Sequence, residues 1–216
     1  MKPLQAFLVA LLLSVATTQA AIFDFNSGFQ NGGVIPDGNP TGWSDTRTVS
    51  GLGAVITDVN VSIDVSGGFN GDLYAYLSYN GTLVTLLNRV GTGLGDAIQT
   101  TWGFSTAGFH NVTLDDTGVG GNIHNVTAPA SASYTLNGGT LASFTGNPNG
   151  NWTLFFADMA GGNTSSTVLS WGLNVTAVPE PVNVALGLFA GGTLVVHGLR
   201  RWRGRSRSCV PGLPLS

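Results

Sequence analysis

Cysteine is almost absent from this chain, whose 216 residues contain a single one, Cys209, near the C-terminus. No disulfide framework can therefore form in the residues before it. A domain spanning positions 21 to 178 has to be held together by its hydrophobic core. A domain of that length can bury about 70% of the surface that its unfolded chain exposes, which is enough for such a core.

Basic residues are also scarce between positions 21 and 178, where Arg47 and Arg89 stand alone and neither Lys nor Glu occurs. Nucleic-acid binding is disfavoured, because it requires clustered Lys and Arg. The acidic residues of this region are all aspartates, at positions 24, 37, 45, 58, 64, 72, 96, 115, 116 and 158. Aspartates in loops rich in Gly, Asn, Ser and Thr suit the coordination of a hard cation, although turn formation explains most of them equally well.

Signatures of catalysis are missing as well. The three histidines, His110, His124 and His197, are widely spaced and have no Cys or Glu close by in sequence, unlike the ligands of a zinc site. No strand-Gly-x-Ser-x-Gly-helix elbow is present for a nucleophilic serine. We therefore expect a protein that is not an enzyme, with a small hydrolase as a remaining alternative.

The N-terminus has the pattern of an export signal. Lys2 gives a positive start, Ala6–Val15 is an apolar run, and Thr18-Gln19-Ala20 is a small-x-small cleavage site. We predict that residues 1–20 are a signal peptide and that residues 21–178 form the exported ectodomain.

The C-terminus combines three features in a fixed order. A linker triplet, Pro179-Glu180-Pro181, ends the folded domain and precedes the apolar run Val182–Leu199. As a helix this run would rise about 27 Å, close to the hydrocarbon thickness of a bilayer, so it predicts a transmembrane helix over 182–199. Residues 200–216 would then be a basic cytoplasmic tail, with arginines at 200, 201, 203, 205 and 207. The alternative is a buried core helix followed by a disordered basic tail.

Together the triplet, the apolar run and the basic cluster Arg200, Arg201 and Arg203 resemble the PEP-CTERM sorting signal of Gram-negative bacteria. The resemblance implies an exosortase as processing partner and a precursor anchored in the inner membrane. It also implies a final location at the cell surface or in the extracellular polymer matrix.

Period-2 alternation of apolar residues is the main fold signal in residues 21–178. It is clear over Val59–Val65 and Leu73–Tyr79, over Trp152, Leu154 and Phe156, and over Leu169, Trp171, Leu173 and Val175. Asn80-Gly81 lies between two such runs and predicts a hairpin with a type I′ turn. No stretch of this region has sustained helical periodicity. The pattern predicts an all-β fold, an antiparallel β-sandwich with jelly-roll-like connections.

A second resemblance rests on short motifs in a set order between about Val34 and Thr176. They are Ile35-Pro36-Asp37, Gly71-Asp72-Leu73, Leu114-Asp115-Asp116, Gly150-Asn151-Trp152, Ala157-Asp158 and Leu169-Ser170-Trp171-Gly172-Leu173. This order resembles the P domain of proprotein convertases, a jelly-roll sandwich that also accompanies many bacterial secreted proteases. No catalytic domain precedes it in this sequence. The resemblance implies Ca²⁺ as a cofactor, with Asp72, Asp115, Asp116 and Asp158 as candidate ligands.

Aromatic residues suggest a polysaccharide ligand. Tyr74 and Tyr76 share the strand face opposite Leu73 and Leu77, so they are candidates for a surface on which sugars stack, together with Trp43 and Trp102. The sequence thus predicts an exported, non-catalytic binding or structural module of the cell surface or exopolysaccharide matrix. The alternative is an accessory P-type domain that docks onto a separate secreted serine protease.

Overall fold

The computed structural model describes residues 18–53, 55–93, 101–162, 165–178 and 191–197. Thr18–Val178 form one compact unit. Within it the structure contains the strands β1 (Gln19–Phe25), β2 (Val34–Ile35), β3 (Trp43–Val49), β4 (Val55–Ser66), β5 (Leu73–Tyr79), β6 (Thr82–Asn88), β7 (Phe109–Leu114), β8 (Ser133–Tyr134), β9 (Gly150–Asp158) and β10 (Ser166–Val178). Short 3₁₀ turns lie at Gln30–Gly33, Asn70–Asp72, Ile123–Asn125 and Leu141–Ser143.

The strands form two sheets. One has six strands in the order β1-β10-β4-β7-β8, with β2 also paired to β10; the other has four strands in the order β3-β9-β5-β6. The pairs are antiparallel except for β7 and β8, which run parallel over two residues. The prediction of an all-β protein built from two sheets is confirmed.

The core lies between the sheets and follows the predicted alternation. Val59–Val65 and Leu73–Tyr79 bury every second side chain, and Trp152 and Trp171 are both fully buried. Burying one large apolar side chain stabilises a fold by about 1.5–3 kcal/mol. Trp152 stacks on Tyr79 with ring centroids 4.0 Å apart, and its indole N–H donates to the Pro148 carbonyl at 2.9 Å. The inward faces therefore fix how the two sheets pack.

The alternating run predicted for β10 is wrong at its first residue, Leu169, which does not point into the core. Leu169 is 47% exposed, whereas its neighbour Val168 is buried with Trp171, Leu173 and Val175. The register between β10 and β4 shifts between Val168 and Ser170, which is a β-bulge. An extra residue in one strand reverses the side-chain alternation on one side of it, and the residue pattern gave no sign of this.

The hairpin prediction is confirmed at Asn80-Gly81. These two residues join β5 to β6 and have φ angles of 48° and 81°. A type I′ turn needs positive φ at both central positions, which Asn and Gly adopt most readily.

Both ends of the chain fall largely outside the described residues. The predicted signal peptide is described only from Thr18, and β1 begins at Gln19, two residues before the predicted mature start. Residues 179–181 and 200–216, with the sorting triplet and the arginines, lie outside the description altogether. Of the predicted span 182–199, residues 191–197 are described and are helical. Among the described residues, no helix reaches the length and apolar character that crossing a membrane requires.

Candidate functional site

The outer side of the four-stranded sheet carries a row of aromatic side chains, which we call the aromatic face: Tyr74 and Tyr76 on β5 and Phe155 on β9. The Tyr76 and Phe155 rings are stacked, with centroids 4.6 Å apart and planes inclined by 15°. Tyr74 meets Tyr76 edge-on at 6.3 Å. All three side chains are partly exposed. The sequence indicated the two tyrosines but missed Phe155, which alternates with the buried Leu154 and Phe156 and could have been found by that alternation.

Hydroxyl groups lie on both sides of the aromatic face. The Tyr74 hydroxyl lies 3.3 Å from Thr85 Oγ1 on β6. On the other side, Thr46 of β3 hydrogen-bonds Thr153 of β9 at 2.8 Å. Apolar ring faces bordered by hydroxyl groups match a pyranose, which has an apolar C–H face and an edge of hydroxyls.

Trp43 does not belong to this surface. It is 4% exposed and packs edge-on against Phe29, and its indole N–H donates to the Gln30 carbonyl at 2.9 Å. Its place among the predicted sugar-stacking residues was therefore wrong. Trp43 is the first residue of β3, where the alternation turns its side chain to the core.

A group of aspartates lies where β5 begins and β9 ends, because Leu73 pairs with Asp158. Asp158 is fully buried, and its Oδ1 accepts a hydrogen bond from the Ala160 N–H at 3.1 Å. Burial raises the pKa of Asp158, and the nearby charges of Asp72 and Asp37 raise it further, against the lowering effect of backbone N–H donors. Asp72 itself is nearly buried, with Oδ1 3.9 Å from an Arg89 guanidinium nitrogen.

Two carboxylate oxygens in this group are buried with no hydrogen-bond partner among the described residues, Oδ2 of Asp158 and Oδ1 of Asp37. The other oxygen of Asp37 accepts from the Gly162 N–H at 3.0 Å. A buried carboxylate oxygen without a donor is costly unless a proton or a cation approaches it. The sequence showed Asp37 within a motif but did not assign it as a ligand, since its proximity to Asp158 depends on the packing of two distant loops.

The other predicted calcium ligands, Asp115 and Asp116, directly follow β7 of the six-stranded sheet and accept hydrogen bonds from nearby backbone N–H groups. Asp115 Oδ1 accepts from the N–H and the hydroxyl of Thr117, both at 2.7 Å. Asp116 accepts from the N–H groups of Leu141 and Ala142 and from the Thr140 hydroxyl, so it anchors the 3₁₀ turn Leu141–Ser143. Within the described part of the chain, no three Asp, Glu, His or Cys side chains are arranged to share a metal ion.

Large apolar side chains are exposed at the end of the sandwich near Asp72. Trp102 is 73% exposed, Phe69 38% and Met159 46%. Phe69 and Trp102 line a cavity of about 340 Å³ together with Asp72 and Ala160. We call these three exposed side chains the apolar end.

His110 lies on the surface of β7. Its imidazole is 57% exposed and its Nδ1 lies 3.6 Å from Asp64 Oδ1.

No family model matches this sequence, and no curated protein matches it. Among solved structures, the complex of an Aeromonas sobria serine protease with a chaperone is similar at 17% identity and a TM-score of 0.46, covering 80% of this chain and 29% of that one. The serine protease of Aeromonas sobria is similar at 16% identity and a TM-score of 0.44, covering 76% and 27% respectively. This chain thus spans less than a third of the length of either solved chain.

Proposed function

We propose that this protein is an exported, non-catalytic module that binds polysaccharide at the cell surface or in the extracellular matrix of a Gram-negative bacterium. The observation that carries the proposal is the aromatic face, where three rings lie in contact on the outside of a sheet. Side chains that serve only the core point inward, whereas these rings point away from it and remain partly exposed. A jelly-roll sandwich of P-domain type is the fold that we propose for it.

The test is retention on polysaccharide. We expect the full-length chain to be retarded in a gel that contains hydroxyethyl cellulose, a neutral β-glucan, and the variant Tyr74→Ala/Tyr76→Ala to migrate as if the polymer were absent. Leu83→Ala is the matched control, because Leu83 is 53% exposed on the neighbouring strand β6. If the double variant is retarded as strongly as the wild type, the aromatic face is not the binding surface.

Export and anchoring are part of the same proposal and rest on the terminal patterns of the sequence. We propose that an exosortase recognises Pro179-Glu180-Pro181, with the membrane as a transient or permanent partner through residues 182–199. Deletion of residues 179–216 should convert a surface-retained protein into a freely secreted one, as measured by cell fractionation. Equal solubility of both forms before any proteolysis would contradict this.

We propose Ca²⁺ as a stabilising cofactor, not a catalytic one. It would bind at the acidic group, by which we mean Asp37, Asp72 and Asp158. Asp37 and Asp158 fit it best, because each has a buried carboxylate oxygen that lacks a donor among the described residues. Ca²⁺ takes oxygen ligands and would neutralise the repulsion between these carboxylates. Asp115 and Asp116 fit it less well, since Oδ1 of Asp115 and both oxygens of Asp116 already accept from backbone and hydroxyl donors.

The second candidate function is that of an accessory domain docking onto a secreted serine protease. The apolar end favours it, because exposed Trp, Phe and Met grouped at one place are typical of protein contact sites. Trp102→Ser should then abolish capture of a serine protease from the secretome by the full-length chain, whereas Tyr74→Ala/Tyr76→Ala should not. Capture that is equal for wild type and Trp102→Ser would exclude the apolar end as the contact.

A further inference from the structure

The outer side of the six-stranded sheet contains a cavity of about 360 Å³, which we call the polar groove. Strand register brings its residues together in two rows. Ile22, Asn174 and Asn60 are neighbours across β1, β10 and β4. Ser62, Thr113 and Ser133 are neighbours across β4, β7 and β8.

Three of the residues that line the polar groove each have a buried side-chain oxygen with no hydrogen-bond partner among the described residues: Asn60 Oδ1, Asn174 Oδ1 and Ser133 Oγ. The orientation of the Asn60 amide is set by its Nδ2, which donates to Asp58 Oδ2 at 3.0 Å. A buried acceptor left unpaired destabilises the fold. The terminal torsion of Asn is broad and Ser can change between staggered rotamers, so these oxygens can turn toward a donor in the cavity. The groove therefore favours a ligand that carries several N–H or O–H groups.

The groove is also negatively charged. Asp115 lines it, and Asp58 adjoins it through Asn60. Burial raises the pKa of Asp58, and the charges of Asp115 and Asp116 raise it further, against the lowering effect of hydrogen bonds from the Asn60 amide and the Val59 N–H. The two arginines of residues 21–178 are engaged elsewhere: Arg47 pairs with Asp45 and Arg89 lies beside Asp72.

The size and chemistry of the groove favour an organic cation over a bare metal ion. The carboxylates near it do not form a group of three that could hold a metal within the described residues. Asp116 already accepts hydrogen bonds from three donors, which hold both of its oxygens. At the rim, Ile22 is 69% exposed and offers an apolar contact. A ligand that combines hydroxyl groups, a positive charge and an apolar face satisfies all of these features.

We propose that the polar groove binds an amino sugar unit of a polysaccharide. Its hydroxyl groups donate to the oxygens of Asn60, Asn174 and Ser133, and its ammonium group pairs with Asp58 and Asp115. This inference rests on the proposed function in expecting a surface polysaccharide, but it uses a different sheet from the aromatic face.

The experiment is calorimetric titration of the full-length chain carrying Tyr74→Ala/Tyr76→Ala, which removes the contribution of the aromatic face. The probes are hexamers of β-1,4-linked glucosamine, N-acetylglucosamine and glucose. We expect the glucosamine hexamer to bind at least about tenfold more tightly than the other two, and added salt to weaken that preference because it screens exposed charges.

Two substitutions in the same background locate the site. Asp58→Asn should lower the affinity for the glucosamine hexamer about tenfold and remove the preference over glucose. Asn174→Leu should abolish binding, because it removes an acceptor and fills the cavity. Asp64→Asn is the matched control on β4, since Asp64 adjoins His110 rather than the groove. Circular dichroism checks that each variant is folded.

The proposal is overturned by equal affinity for the glucosamine and glucose hexamers, by the absence of binding, or by an unchanged affinity in folded Asp58→Asn. Its failure is distinguishable from failure of the proposed function. Retention of the wild type on the neutral glucan depends on the aromatic face, and it should be the same in Asn174→Leu and in the wild type.

Discussion

The two sheets have similar inner sides and different outer sides. Inside, both present aliphatic residues and a buried tryptophan, Trp171 from one and Trp152 from the other. Outside, the four-stranded sheet exposes stacked aromatic rings, whereas the six-stranded sheet exposes amides, hydroxyls and carboxylates around a cavity. Core packing and ligand contact can therefore use opposite sides of the same strand, because successive side chains of a strand point to opposite sides.

This difference teaches where function resides in the molecule. Inner positions are constrained by packing, so their pattern identifies the fold and little else. Outer positions are free of that constraint, and the two surfaces differ in the ligand features that they fit: an apolar sugar face on one side, hydroxyl and ammonium donors on the other. If both proposals hold, one domain contacts a polysaccharide through two chemically distinct surfaces.

The largest expected effect of a single substitution on glucan binding comes from removing the stacking partner of Tyr76 on the aromatic face. Phe155→Ala should lower the affinity for the neutral glucan about tenfold, or about 1.4 kcal/mol, because Tyr76 loses the ring that holds it in place. Affinity gel electrophoresis measures this loss. The polar groove should still bind the glucosamine hexamer with unchanged affinity, and a parallel loss there would mean that the substitution disturbs the whole sandwich.

A separate effect, on stability rather than on sugar binding, is expected from calcium, which should stabilise the group formed by Asp37, Asp72 and Asp158 without changing either outer surface. Binding to the native state alone stabilises it by about 2.7 kcal/mol when the free ligand is at 100 times Kd. For a domain of this length that corresponds to a rise of several degrees in Tm by differential scanning calorimetry.

Paired variants assign the calcium ligands. Asp37→Asn/Asp158→Asn should remove the calcium-dependent rise in Tm, while Asp115→Asn/Asp116→Asn should keep it even if the baseline Tm falls. Superimposable curves in millimolar Ca²⁺ and in chelator would show that the wild type has no such site. Loss of the rise in the second variant would instead move the site to the six-stranded sheet.

The smallest expected effect on stability is that of Asp58→Asn. This substitution should raise the stability of the fold, although it should lower the affinity for the glucosamine hexamer. The pKa of Asp58 is raised in the native state, so the ionised carboxylate destabilises the fold at neutral pH, and this cost fades as the pH falls through that raised pKa. Asp58→Asn should therefore stabilise the protein slightly at pH 7, by no more than about 0.5 kcal/mol, and progressively less toward acid pH. Urea denaturation at several pH values measures it. A variant that is less stable than the wild type at pH 7 would show that the Asn60 hydrogen bond outweighs the repulsion.

The alternating residues predicted the inner faces of the sheets and the hairpin at Asn80-Gly81, because each depends on local chemistry. The bulge at Val168–Ser170 was missed, since nothing in a run of apolar residues marks an extra residue in the ladder. Tyr74 and Tyr76 could be assigned to an outer surface from one strand alone. The polar groove could not be predicted, because Asn60 and Asn174 are far apart in the chain and meet only through the register of β4 and β10.

The central claim is that the aromatic face binds polysaccharide while the fold beneath it stays intact. The most direct measurement is affinity electrophoresis of the full-length wild type, Tyr74→Ala/Tyr76→Ala and Leu83→Ala in gels with and without hydroxyethyl cellulose, with Tm recorded for each. The account predicts retardation of the wild type and of Leu83→Ala, none for the double variant, and Tm values within a few degrees of one another. Equal retardation of all three folded proteins, or none for the wild type, would contradict it.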